Sequence, residues 1–314
     1  MPQAWTSSIF GLVAIVALVP SWIATPTGDS SLQSQTRAIY VSVTDKNGAA
    51  ITDMQPAEFE VKDGGKACDI VSAQEPKIPL RIAILDADQG TGAFQLGIAR
   101  FMQKLLGHAE FALYSVVVQP EKFIDFSHDG RELSAAVSRL GARGRETGAQ
   151  LMEAIQQATK DVQHEDRRPA IVVLRLGGEA ASEITGNTVR EELRKSGAVL
   201  YVVSAAGAQG SAPPQARGTD AVSIQQGQMR DSELADAQFN LNQVLGDGAN
   251  ESGGRHDQVI ATTHAKPVEQ IAEELLHQYE IKYAVPAGMK PGDKISVTTK
   301  RKGVTLHAPS RVPN

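Results

Sequence analysis

Apolar residues recur along this chain in three rhythms, and the rhythm changes twice. From Arg37 to about Pro76 they alternate with polar ones. AIYVSVTD reads as a strand and stops at Asp45-Lys46-Asn47-Gly48, where Asn-Gly supplies the positive φ of a hairpin turn. FEVKDGGKACDIVSA repeats the device, with Asp63-Gly64-Gly65 at its turn. Cys68, the one cysteine, alternates with apolar neighbours there and reads as a small buried hydrophobe, not a nucleophile.

From Pro79 to about Tyr279, short aliphatic runs alternate with helical stripes. Leu80–Leu85, Phe111–Val118, Ile171–Leu174 and Val199–Ser204 are near-continuous, which predicts strands covered on both faces. Helices are predicted over Phe94–Leu106, Leu133–Leu140, Gln150–Val162, Thr188–Ser196 and Val268–Gln278. The last carries Val268, Ile271, Ala272, Leu275 and Leu276 on one stripe. Such alternation predicts right-handed crossovers and an α/β fold with a doubly wound, mostly parallel, Rossmann-like sheet. Ligands of such sheets sit at the carboxyl ends of the strands. Between Ala205 and Asp231 a stretch rich in Gly, Ala, Gln and Pro has little periodicity and predicts a long, mobile surface loop.

From Tyr279 to Val312 the alternation returns: YEIKYAVP, a Pro/Gly turn at Met289 to Asp293, then KISVTTK and GVTLHAP. The expected organisation is a leader at 1–30, a β segment at 37–76, an α/β domain at 79–279 and a second β segment at 280–312. Each β segment is too small to stand alone. They are expected either to share one module or to form two lobes on the central domain.

The leader changes the picture of where the protein works. Ile9 to Ala24 reads IFGLVAIVALVPSWIA, a run broken at Pro20 that is short for a membrane span and suited to a signal-peptide core. No Lys or Arg precedes it, and no Cys stands near its end to take a lipid. The expectation is export to the periplasm or the cell exterior, with an uncleaved anchor as the alternative and the only route to a membrane. A single cysteine leaves no internal disulfide, so the fold depends on its core. Net charge is −5 and no basic block exceeds Lys300-Arg301-Lys302, so nucleic acid is not an expected partner.

Candidate chemistry centres on RIAILDADQGTG, Arg81 to Gly92. A buried strand there delivers Asp86 and Asp88 to a glycine-rich loop. Two such carboxylates can hold Mg²⁺ or Ca²⁺ through oxygen, act as nucleophile and acid/base, or cap the following helix. Residue types alone leave the three open. The seven histidines lack His-x-x-His spacing, so zinc is unsupported. Neither a Gly-x-Ser-x-Gly elbow nor a phosphate-cradling lysine loop occurs. The glycines of GARGRETG, 141–148, read as loop flexibility in preference to an anion site.

From PLRIAILDADQGTG onward, the order of motifs resembles von Willebrand factor type A (VWA) domains. It is most similar to the exported bacterial proteins described as VWFA-related. The shared features are VSVTDKNGAAITDMQPAEFEVKDGGK before the domain, Ser252-Gly253-Gly254-Arg255 near its last strand, and Glu274-Leu275-Leu276-His277-Gln278-Tyr279 running on to Tyr283. The resemblance extends from about Arg37 to the C-terminus. It implies a metal-ion-dependent adhesion site made of Asp-x-Ser-x-Ser, a Thr in a second loop and an Asp after a later strand. Asp86 matches the leading Asp, Asp88 replaces the first Ser and Gly90 the second. Ala149 falls at the Thr position, with Thr147 two residues away. After IVVL, Arg175-Leu176-Gly177 stands where the family has Thr-Asp-Gly. The resemblance therefore implies a degenerate site with no metal expected, any residual Mg²⁺ or Ca²⁺ falling to Asp86 and Asp88.

A rival resemblance is to haloacid-dehalogenase-type phosphohydrolases, with Asp86 as nucleophile, Asp88 as acid/base and VLGDGANE, Val244 to Glu251, as the acidic Mg²⁺ motif. Its details depart: Thr91 comes one residue late and the second motif ends in Glu251. The expected function is therefore a non-enzymatic interaction protein without a cofactor. It would bind an unknown polypeptide through the 86–92, 142–149 and 175–186 loops, with 205–231 as an extension of that surface. A metal-dependent adhesin and a phosphohydrolase are the alternatives.

Overall fold

In a computed structural model of the chain, residues 35–141, 149–178, 182–206, 221–260, 264–286 and 292–312 are described. The leader lies outside them. Residues from Ser34 onward form one unit, which holds two six-stranded sheets.

The central sheet is built from β4 (Leu80–Ala87), β5 (Ala109–Val116), β6 (Pro120–Ser127), β7 (Arg168–Leu176), β8 (Val199–Ala206) and β9 (Arg255–Ile260), in the order β6-β5-β4-β7-β8-β9. The other sheet takes β1 (Thr36–Asp45), β2 (Phe59–Asp63) and β3 (Lys66–Gln74) from one end of the chain. From the other end come β10 (Tyr279–Ala284), β11 (Ile295–Thr299) and β12 (Val304–His307). The central helices are α1 (Gln95–Leu105), α2 (Gly130–Ser138), α3 (Leu151–Asp161), α4 (Gly186–Ser196), α5 (Ala221–Gln243), the three-residue α6 (Ala249–Glu251) and α7 (Ala265–Leu276).

The aliphatic runs are continuous because both faces of the sheet are covered. Ile82 and Ile84 of β4 pack with Ile98 and Phe101 of α1, Leu133 of α2 and Ile271 of α7. Ala83 and Leu85 point the other way, toward Ile155 of α3, Leu193 of α4 and Leu241 of α5. Strands β5, β4, β7, β8 and β9 run parallel, and β6 alone pairs antiparallel, at one edge. Counted within the sheet, this is the 3-2-1-4-5-6 order of a doubly wound α/β fold. The chain reverses its direction of travel between β4 and β7.

The two β segments share one antiparallel sheet. β1 pairs with β10 from Thr36↔Ala284 to Val41↔Tyr279, and β10 pairs with β3. Its core gathers Ile39, Val41, Phe59, Ile281 and Tyr283. Gly64 and Gly65 take φ of 56° and 82°, as a two-residue hairpin between β2 and β3 needs. The Asn47-Gly48 turn forms as well, with the Asp45 carboxylate accepting from the backbone N–H of Asn47 and Ala49, both at 2.8 Å. It returns through a single bridge, Thr44↔Ala50, and so does not open a full hairpin.

Three expectations need correcting. Strands β6 and β9 were not among those predicted, because PEKFIDFS and RHDQVI are charged edge strands with one side toward solvent. Residues 221–231, expected in a loop, begin the helix α5, while 207–220 lie outside the described residues. α5 carries no apolar stripe, and Met229 and Phe239 on it are exposed, so periodicity could not reveal it. Cys68 is half-buried, not buried, since β3 shows much of one face to solvent. Among the described residues, no helix is long and apolar enough to cross a membrane.

Candidate functional site: the rim at the carboxyl ends of the strands

Asp86 is the penultimate residue of β4, beside the point where the sheet order reverses. It lies in register with Ser115 of β5 and Leu174 of β7, and it is fully buried. Asp88 follows just after the strand and is also fully buried. Its carboxylate is committed to its own loop. One oxygen accepts from the Gly90 N–H at 2.9 Å; the other accepts from the Ala93 N–H at 2.8 Å and the Thr91 hydroxyl at 3.2 Å. Asp88 thus ties down the turn that leads into α1, a local role that Asp side chains take readily. Gly90 has φ 74°, a conformation glycine adopts at little cost, and it offers no side-chain donor.

Neighbouring loops are cross-tied to this one. Gln89, in a left-handed conformation with φ 60°, donates its side-chain amide to the Gly177 carbonyl after β7. Gly178 has φ 153°, a conformation that residues with a side chain rarely adopt, and a Cβ there would also displace the Gln89 amide. Arg175 Nη2 donates to the Gly178 carbonyl at 2.7 Å. Burial pushes the Arg175 guanidinium below its ordinary pKa. Farther along the rim, Glu153 of α3 accepts from the Ser182 hydroxyl at 2.8 Å and the Glu183 N–H at 3.0 Å, which fixes the approach to α4. Gln89, Gly178, Glu153 and Ser182 were not singled out by sequence. Gln89 reaches a partner 88 residues away, and Glu153 meets Ser182 and Glu183 across 29 and 30 residues, so no local pattern announces them.

Of the other sequence-derived residues, Ala149 lies at the start of α3, where Gln150 N–H donates to the Val118 carbonyl at 2.8 Å just past β5. Ala149 belongs to the rim and supplies no ligand atom. Thr147 lies outside the described residues, as do 142–148 and 179–181. The donor set suits a hard cation poorly. Asp88 is engaged by its own loop, Gly90 and Ala149 have no side-chain oxygen to give, and Leu176 stands where the family pattern has its later Asp, with the Arg175 cation beside it.

Ser204 Oγ and His256 Nε2 are 2.8 Å apart on β8 and β9. Burial, the largest cause, and the Arg175 charge lower the His256 pKa, while Asp257 raises it. Asp257 gives its carboxylate to Arg255 at 2.7 Å, so it does not orient the imidazole as a catalytic partner would. The acids of the rival phosphohydrolase pattern do not converge. Glu251 is ion-paired to Arg190 at 2.6 Å, beside Ser252, whose hydroxyl accepts from the Leu200 N–H at the amino end of β8. Asp86 lies at the opposite, carboxyl, end of the sheet. Ser252-Gly253-Gly254-Arg255 is structural: Gly254 presses against the Leu200 backbone, and Arg255 pairs with the buried Glu274.

No family model matches the chain, and no curated protein matches it. Solved structures do. The SpRpn10 VWA domain aligns at 12% identity and TM-score 0.38, over 62% of this chain and 94% of that one. An aerotolerance-related membrane protein from Bacteroides fragilis aligns at 16% and 0.41, over 62% and 98%. The pilus adhesin SpaC from Lactobacillus rhamnosus GG aligns at 9% and 0.43, over 82% of this chain and 48% of its own. At these scores the fold rests on the strand order and connectivity of this chain itself: a doubly wound α/β domain, to which solved VWA domains are similar, joined to an antiparallel sheet.

Proposed function

We propose that this is an exported, non-enzymatic protein that binds a polypeptide partner through the rim at the carboxyl ends of β4, β7 and β8, without a metal ion. The observation that carries this reading is the fate of Asp88. In a metal-dependent rim an oxygen ligand at that position faces the cation, whereas here both carboxylate oxygens are engaged by Gly90, Thr91 and Ala93 of the same loop. Its loop is tied to the one after β7 through Gln89, Arg175 braces that second loop internally and Glu153 holds the approach to α4, which pre-organises a surface and lowers the ordering cost of association. The position at the reversal of strand order is where such sheets bind their ligands. The leader pattern at Ile9 to Ala24 supports export.

Photo-crosslinking from the rim tests the proposal. A crosslinking amino acid at Ala93 or Glu183, both exposed, is expected to capture a polypeptide in the cell envelope fraction, equally with and without EDTA. The same probe at Lys300, away from the rim, should not. Capture from Lys300 but not from the rim, or capture that EDTA abolishes, would overturn it.

A further inference from the structure

At the amino ends of β7 and β8, where the central sheet meets β1, lies a cavity of about 220 Å³. Its walls are largely apolar, formed by Ile39, Leu193 and Val199, with Ala38 at the exposed mouth. Four arginines line it, Arg168, Arg190, Arg194 and Arg311, against one acidic residue, Glu251. Arg190 is held by Glu251 at 2.6 Å, and Arg194 by Glu191 at 2.7 Å.

Arg168 differs from the other three. It is 6% exposed, and among the described residues no carboxylate lies within ion-pair distance of it. Its Nε donates to the Ile78 carbonyl at 2.8 Å, and Nη1 donates to Gln278 Oε1 at 2.7 Å and to the Leu275 carbonyl at 3.4 Å. Nη2 has no acceptor among the described residues. The Tyr40 ring stands 5.6 Å from the guanidinium and closes the same wall. A buried guanidinium held by neutral acceptors, with Nη2 unused and the carboxylates of Glu75 and Glu280 acting on it only from a distance, gains from an anion that reaches it directly.

We propose that this cavity is a binding site for a small organic carboxylate with an apolar body. Arg168 Nη2 would donate to the carboxylate, and the aliphatic walls would enclose a ring or branched chain. A cavity of about 150 Å³ holds benzene, so this one has room for a ring that carries a carboxylate. The site is at the opposite end of the sheet from the rim and does not depend on the rim's function.

Isothermal titration and thermal shift of the chain with benzoate, benzamide and inorganic phosphate test it. Benzoate at millimolar concentration should bind and raise the melting temperature. Benzamide, the neutral isostere, should bind at least about tenfold more weakly, because a charge-assisted bond is lost. Phosphate should bind more weakly than benzoate, because it gains nothing from the walls. Arg168→Gln should abolish benzoate binding. That variant also disturbs the bonds to Ile78 and Gln278, so Ala38→Trp, which plugs the mouth from an exposed position, provides the second route to the same loss. No benzoate binding, equal binding of benzamide or phosphate, or binding that survives Ala38→Trp would each overturn the proposal.

Discussion

The two ends of the central sheet are built on opposite plans. At the carboxyl end three side chains are tied to loop backbone: Asp88 serves its own loop, Gln89 reaches the Gly177 carbonyl and Arg175 the Gly178 carbonyl. At the amino end the buried Arg168 lines a cavity, and its Nη2 has no acceptor among the described residues. The first plan yields a stiff outer surface suited to a large partner, the second an enclosed space suited to a small one. A titratable side chain near a strand end is therefore not by itself a ligand. What distinguishes the cases is whether neighbouring backbone has already used its atoms.

The largest expected effect comes from unlocking the rim. Asp88→Ala leaves two backbone N–H groups and a hydroxyl without their acceptor, and should cost about 3 kcal/mol of stability by denaturant unfolding. Amide exchange should accelerate across 88–93 and not at the amino ends. A loss no greater than that of an average surface substitution would break the comparison.

Gly90→Ser is smaller and sharper, because it supplies the hydroxyl of the family pattern that the chain lacks. With φ at 74° it should cost about 1 kcal/mol and confer no cation affinity, since Asp88 remains engaged. A cation-induced melting shift in that variant would show that the missing hydroxyl, and not Asp88, silences the site.

The smallest effect is a pH dependence. Burial holds His256 and His307 below their ordinary pKa of 6.5, so the unfolded chain takes up protons before the folded one does. Stability should be complete above 6.5 and should decline as pH falls from there toward the folded values. The Arg175 charge contributes to the His256 shift, so Arg175→Gln should raise that pKa in an NMR titration and soften the decline. An unchanged His256 titration would detach Arg175 from the cluster.

Much of the fold was legible because burial on both faces leaves a plain signature. The runs around Ile82 to Leu85 and Val199 to Val203, and the stripe of Val268, Ile271 and Leu275, admit little else. Half-exposed elements were not legible: the charged edges β6 and β9, and the polar helix α5. The sharing of one sheet by the two β segments depends on pairings such as Thr36↔Ala284, which no local pattern specifies. At the rim, sequence placed Asp86, Asp88 and Arg175 near one another but could not choose among ligand, catalyst and cap for Asp88. That choice was made by the positive φ values of Gln89 and Gly90, which fold the loop back onto the carboxylate. The Arg168 cavity had no local signal, since its walls come from β1, α4, β7 and β8.

The most direct test of the central claim is thermal unfolding of the chain without its leader, first in EDTA and then with millimolar Mg²⁺, Ca²⁺ or Mn²⁺. A cation bound at a hundred times its dissociation constant would add about 2.7 kcal/mol, well within reach of the measurement. The rim described here predicts coincident curves in all four conditions. A cation-dependent rise that Asp86→Ala abolishes would contradict it and return the rim to metal-dependent chemistry.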